Sequence, residues 1–227
     1  MAKKISRFKK IFEQAADRKG GQRALKKLLP DSIKTPTQLS AVPDDRYLAE
    51  ITKSIFKAGF VWKVIDNKWP AFEQAFWNFD IQTCLHMSPE DEDRLCTDER
   101  IVRNRQKILT VPRNAGMIAE INRQHGSFGR FLGAWPSEDY VGLLDYFKKH
   151  GERMGGNSCQ YFLRFVGKDG FLLTPDVIRA LINAGVIDKP PTAKAAKRAV
   201  QDAFNQWQHE SRFNLAQMSR ILAISIG

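Results

Sequence analysis

The 227-residue chain lacks the features of membrane-spanning, secreted and disulfide-stabilised proteins. No apolar run approaches the roughly 18 residues of a membrane span, and no apolar stretch of about 7–15 residues follows the N-terminal lysines as in a secretory signal. The three cysteines, Cys84, Cys96 and Cys159, are odd in number and far apart, so they indicate neither a disulfide framework nor a metal clip. We therefore expect a reducing, cytoplasmic setting.

The sequence also has little that indicates strands or cofactor sites. Convincing alternation of apolar and polar residues is missing, as are P-loop, GxSxG and HExxH motifs. The histidines show no metal-ligand spacing; they are His86, His125, His150 and His209. We therefore predict no cofactor.

Positive charge is what the chain has in excess, and it is concentrated at the N-terminus. The formal net charge is +11, and residues 1–30 contribute +8 of it through ten Lys or Arg against two acids. Ile5, Phe8 and Phe12 recur at helical spacing, which predicts an amphipathic helix with a basic face inside an arm over residues 1–42. Such a face attracts nucleic acid first and an anionic membrane second, and a solubilising tail is the remaining alternative.

Helical periodicity dominates the rest of the chain and predicts an all-α domain of about ten short helices over residues 43–227. Ser88 and Thr174 are each followed by Pro and acids, the signature of a helix start. A long helical stretch over residues 101–124 contains Pro112, which should kink or break it.

Three stretches, taken together in order, resemble the 3-methyladenine DNA glycosylase I family of the helix-hairpin-helix glycosylases. Residues 58–62 read AGFVW, residues 98–108 read DERIVRNRQKI, and residues 148–158 read KKHGERMGGNS. The resemblance extends over roughly residues 44–167. It implies a helix-hairpin-helix fold and a glycosylase that hydrolyses the N-glycosidic bond of an alkylated purine in double-stranded DNA. We expect a monomer.

The resemblance implies a phosphate-binding hairpin near residues 151–158. A hairpin between two helices directs backbone N–H groups and a helix N-terminus at a phosphate, and Gly155, Gly156 and Asn157 stand at that turn. An ordinary helix–helix turn is the alternative.

The turn from Ala58 to Trp62 has the parts needed to hold an extruded base. Gly59 lets the backbone approach DNA, Phe60 is suited to fill the gap in the stack, and Trp62 is suited to stack on the base. An N-alkylated purine is cationic, so an indole face gains a cation–π attraction for it. Alternatively, Phe60 and Trp62 are core aromatics that follow a helix end.

The chain departs from the family in two ways. It lacks the base-gripping acid, and it lacks the zinc ligands, so we predict no bound metal. The family's acid lies eight residues before the Trp, where this chain has Ser54. A hydroxyl can bond a purine amino group but lacks charge. Glu50, one turn earlier on the same stripe, is either a substitute or a plain surface acid.

The wider superfamily often places a catalytic Asp at the start of the helix after the hairpin helix, whereas the 3-methyladenine type manages without it. Thr174 matches that position and Asp176 follows two residues later. Asp176 either stabilises the sugar cation and orients water, or complements the helix N-terminus. No Lys stands beside Asp176 to attack the sugar, so we predict a monofunctional enzyme.

The 98–108 stretch offers further candidate DNA contacts. Arg103, Arg105 and Lys107 are candidates for phosphates, and Asn104 is a candidate for the pocket. The alternative is a solvated face that includes a Glu99–Arg103 pair. A second function from another class also stays open, namely a DNA-binding module that kept the fold and lost catalysis.

Overall fold

The computed structural model describes residues 8–226, and all regular structure in that range is helical. The all-α prediction is confirmed, but the range contains fifteen α-helices and two 3-10 helices instead of about ten, because several helices have only four or five residues. Residues 1–7, with Ile5 and part of the basic charge, lie outside the described residues. Among the helices described, none has the length and apolar character to cross a membrane.

The helices follow one another on short connections. In chain order they are α1 (Phe8–Arg18), α2 (Gln22–Lys26), α3 (Pro36–Ser40), α4 (Asp44–Lys57), α5 (Trp62–Ala75), α6 (Ile81–Leu85), α7 (Pro89–Thr97), α8 (Arg105–Ile108), α9 (Thr110–His125), α10 (Phe128–Ala134), α11 (Tyr140–His150), α12 (Asn157–Val166), α13 (Pro175–Asn183), α14 (Lys194–Ser211) and α15 (Leu215–Ile226), with 3-10 helices at Trp77–Phe79 and Ser137–Asp139. The chain forms two compact units.

Of the described residues, the first unit comprises residues 8–33, 136–142 and 169–226. Its α1 packs against α14 and α15. Phe8 is buried with its ring 5.8 Å from that of Trp207, whereas Lys9 and Lys10 on the other face of α1 are exposed. The described start of the basic segment is therefore a helix packed on this unit by its apolar stripe.

The second unit comprises residues 34–135 and 143–168. Its central helix is α4, which packs against α5, α9 and α12, while α3 packs on α10. Tyr47 and Ile51 of α4 are buried, as their helical spacing predicts. The Tyr47 hydroxyl donates to the Leu39 carbonyl at 2.7 Å, so its one polar group is satisfied inside the core.

Local signals specify most helix starts. Ser88 forms a capping box with Asp91, and the Thr174 side chain accepts from the Val177 N–H. The helix predicted over residues 101–124 is wrong in its first part, because only α8 and α9 are helical there. Pro112 is the third residue of α9 and does not interrupt it, since first-turn N–H groups have no partner within a helix.

Candidate functional site

A cavity of about 520 Å³ opens in the second unit beside the C-terminal end of α4, the start of α5 and one face of α12. Its volume suits a ligand of the size of a nucleobase or larger. The residues that line it are Ser54, Lys57, Ala58, Gly59, Phe60, Val61, Trp62, Asn157, Ser158, Tyr161 and Phe165. The structure thus brings together five residues singled out from the sequence: Ser54, Gly59, Phe60, Trp62 and Asn157.

The loop between α4 and α5 exposes apolar side chains at the cavity mouth. Gly59 has φ +71°, a conformation that L side chains rarely adopt, and a Cβ built there meets nothing within 4 Å. Phe60 is 44% exposed and Val61 is 67% exposed. Phe60 is therefore not a core aromatic, and the loop offers an open apolar surface to a partner.

Lys107 anchors this loop through hydrogen bonds to backbone carbonyls. Its Nζ donates to the Phe56 carbonyl at 3.1 Å and to the Ala58 carbonyl at 2.7 Å, which ties the end of α4 to the turn. Burial, with a smaller effect of the Arg153 charge, lowers the pKa of Lys107. The ammonium predicted to contact a phosphate is engaged by the chain's own carbonyls, so Lys107 positions the Gly59 turn.

Trp62 and the hairpin helix form an aromatic wall. Trp62 is the first residue of α5 and is 40% exposed. Its ring meets Tyr161 edge-on at 5.0 Å and Phe165 at 6.0 Å. Sequence reasoning did not assign Tyr161 or Phe165 to the site, although their i,i+4 spacing on α12 was the available signal. The wall suits a planar heteroaromatic group.

A lysine that sequence reasoning missed stands against this wall. The Lys57 Nζ lies 5.1 Å from the centroid of the Trp62 ring and 5.4 Å from that of Phe165. It also pairs with Asp66 Oδ1 at 2.9 Å, and Lys53 pairs with the same oxygen at 3.0 Å. These ammonium groups lower the pKa of Asp66. Helix α4 therefore places the Lys57 ammonium at the same cavity that Ser54 lines.

Ser54 stands at the position where the family pattern has its base-gripping acid. Ser54 is 3% exposed, and its Oγ donates to Glu50 Oε1 at 3.4 Å. Burial raises the pKa of Glu50, and the charges of Lys53 and Lys57 oppose that rise. Glu50 is thus a half-buried acid behind Ser54, and the Ser54 oxygen keeps lone pairs for an N–H of a ligand.

The hairpin connects α11 to α12 and leaves the start of α12 open. Gly156 is the N-cap residue with φ +60° and ψ −135°, and as a glycine it has no side chain with which to cap the helix. Gly155, Gly156 and Asn157 are all exposed. Free first-turn N–H groups beside glycines give a surface that an anion can approach closely.

We expect Gly156→Ala to lower the free energy of unfolding by about 1–3 kcal/mol, because its backbone conformation is open only to glycine. Gly155 is the matched control, since its φ is ordinary and an added Cβ meets only Lys148 Cγ at 3.8 Å. Gly155→Ala should leave stability unchanged within about 0.5 kcal/mol or raise it slightly. Urea unfolding of both variants measures the difference, and equal stabilities would contradict the expectation.

A buried side-chain amide on α9 anchors the hairpin within the second unit. Asn114, on α9, accepts from the Glu152 N–H at 2.9 Å and donates to the Glu152 carbonyl at 3.1 Å. It is 1% exposed. No sequence signal set Asn114 apart, because its partner lies 38 residues away.

The remaining candidates of the 98–108 stretch do not line the cavity. Arg103 pairs with Glu99 at 3.3 Å, and Arg105 pairs with Asp93 at 3.1 Å, all on the surface. Asn104 caps α8 by accepting from the Lys107 N–H at 3.1 Å. Their proposed contacts with DNA stay predictions.

Asp176 belongs to the first unit, in the first turn of α13. Its carboxylate lies 3.5 Å from the Arg179 guanidinium, and both side chains are more than half exposed. This placement complements the helix N-terminus, and a catalytic role stays a prediction.

Comparison with known proteins relates both the sequence and the fold to DNA glycosylases. Residues 40–149 match the family model of the methyladenine glycosylases. A variant of 3-methyladenine DNA glycosylase I, solved in complex with 3-methyladenine, is 25% identical with a TM-score of 0.50, over 59% of this chain and 83% of that one.

A second similarity extends over nearly the whole chain. The 8-oxoguanine DNA glycosylase of Methanocaldococcus jannaschii is 13% identical with a TM-score of 0.55, over 93% of this chain and 91% of that one. Its complex with a 15-mer DNA containing 8-oxoguanine is 12% identical with a TM-score of 0.50, over 94% and 95% of the two chains. The expected glycosylase fold is confirmed.

Proposed function

Since residues 40–149 match the family model of the methyladenine glycosylases, we propose that the chain is a DNA glycosylase of the 3-methyladenine type. It hydrolyses the N-glycosidic bond of an alkylated purine flipped out of double-stranded DNA, and it acts as a monomer. One observation carries this proposal: the cavity has an aromatic wall directly behind an exposed glycine turn and beside the open N-terminus of α12.

The cavity residues share the work of extruding and holding the base. Extrusion costs a few kcal/mol of lost stacking, which the protein must replace. Phe60, exposed on the Gly59 turn, fills the space that the base leaves in the duplex. Trp62 then packs on the base, and the Ser54 oxygen accepts from an N–H on its edge while Glu50 orients the hydroxyl.

The backbone of the DNA is held by two basic or dipolar surfaces. The N–H groups near Gly155, Gly156 and Asn157 take a phosphate at the start of α12. The basic segment within residues 1–42 adds non-specific grip, and on α1 its exposed cations include Lys9 and Lys10. Arg103, Arg105 and Asn104 are secondary candidates for DNA contacts.

Hydrolysis breaks the bond between the sugar C1′ and the base nitrogen. The bonding electron pair leaves with the base, and water adds to C1′ and loses its proton. The developing positive charge on the sugar is what a carboxylate stabilises, and Asp176 is our candidate for that role. No lysine nucleophile is required, so the product is an abasic site in an uncut strand.

Mass spectrometry of the bases released from alkylated duplex DNA tests the proposal. Duplexes treated with dimethyl sulfate or with chloroacetaldehyde present methylated and etheno purines. We expect free alkylated purines and intact strands that carry abasic sites. A protein that binds these duplexes and releases no base would be the DNA-binding module instead, and the proposal would fail.

A further inference from the structure

We propose that Lys57 makes this site a selector for neutral alkylated purines that carry a hydrogen-bond acceptor, in preference to cationic ones. The inference rests on the proposed glycosylase function and concerns the same cavity. It reverses the expectation that an indole surface favours a cationic base, for reasons that lie in the position of one ammonium group.

The first reason is that the aromatic wall already attracts a cation, namely the ammonium group of Lys57. A cation within about 6 Å of a ring centroid is attracted by the ring quadrupole. The Lys57 Nζ lies within that distance of both Trp62 and Phe165. A cationic base that enters must therefore displace this ammonium or lie beside it, and in either case it gains little from the rings.

The second reason is the charge of the lining. Among the described residues that line the cavity, Lys57 is the one Lys, Arg, Asp or Glu. The nearby carboxylates do not line the cavity: Asp66 is shared between Lys57 and Lys53, and Glu50 accepts from the Ser54 hydroxyl. The ammonium of Lys57 is therefore the charged group that a base in the cavity lies against, and like charges at close range repel most where water is excluded.

The third reason is that the ammonium has donors to offer. A lysine ammonium has three N–H donors and no acceptor, and the Asp66 oxygen at 2.9 Å engages one of them. A neutral purine with a ring nitrogen or a carbonyl oxygen on its edge accepts from the others. A hydrogen bond to a charged group is stronger than one between neutral groups, so this contact favours the neutral ligand.

The test compares single-lesion duplexes with 1,N6-ethenoadenine, which is neutral, and 7-methylguanine, which is cationic. We expect the wild-type protein to release the neutral base with the higher kcat/KM. Lys57→Met keeps the length and apolar stem, and we expect it to lower release of the neutral base about tenfold and to raise release of the cationic base several-fold. Lys57→Arg should retain the wild-type order of preference.

Lys53→Met is the matched control, because Lys53 lies on the same helix, pairs with the same Asp66 oxygen and does not line the cavity. Its preference should equal that of the wild type. A wild-type preference for the cationic base, or an unchanged ratio in Lys57→Met, would overturn this inference alone. Release of neither base by the wild-type protein would overturn the proposed function and the inference with it.

Discussion

Trp62→Ala is expected to slow base release on the order of 100-fold while duplex binding changes only a few-fold. Stacking of one base on an aromatic ring is worth about 1–3 kcal/mol, and removing the indole also widens the cavity so that the base is less well positioned. Duplex binding depends mainly on phosphate contacts, which this substitution leaves in place. Single-turnover release of alkylated purine and duplex titration measure the two effects separately.

Two further variants test whether the slower base release comes from the loss of the Trp62 indole. Trp62→Phe keeps a smaller ring at the wall, so its rate should lie between those of the wild type and of the alanine variant. Trp77→Ala removes a half-buried indole that contacts Arg94 at 4.9 Å and does not line the cavity, so its rate should match the wild type. Wild-type base release by Trp62→Ala would remove Trp62 from the site.

Asn114→Ala is expected to lower the free energy of unfolding by about 2–4 kcal/mol and to weaken duplex binding. The change leaves the N–H and the carbonyl of Glu152 without their buried partner, and each unsatisfied group costs about 1–3 kcal/mol. The hairpin that carries Gly155 and Gly156 then loses its anchor at Glu152, so the turn proposed to bind a phosphate is less well ordered. Urea unfolding and duplex titration report the two effects.

Arg113→Ala is the control for Asn114. Arg113 is the preceding residue on α9 and pairs with the Glu152 carboxylate at 3.2 Å, but both side chains are largely exposed. Surface ion pairs contribute about 0–1 kcal/mol, so this variant should be nearly as stable as the wild type. If Asn114→Ala were no less stable than Arg113→Ala, the buried amide would not anchor the hairpin.

Short-range sequence patterns predicted the helices and the Gly59 turn that lines the cavity. Ser88 and Thr174 begin helices because a cap needs only the residues up to three positions further along. The Gly59 turn and Trp62 were predicted together because they occupy one continuous stretch. The prediction from helical spacing was nevertheless wrong for residues 101–104, which are not helical.

Contacts between distant residues decided the chemistry of the cavity. Lys107 was predicted to contact DNA, but its ammonium is used by carbonyls 49 and 51 residues away. The sequence shows that Lys57 and Trp62 are neighbours, yet only the packing of α12 against α4 places Phe165 beside both. Capping and spacing act within a turn or two of chain, whereas the environment of a charge depends on which helices pack around it. The amino-acid order therefore determined the helices and the residue types of the site, and tertiary packing decided which charge lines the cavity.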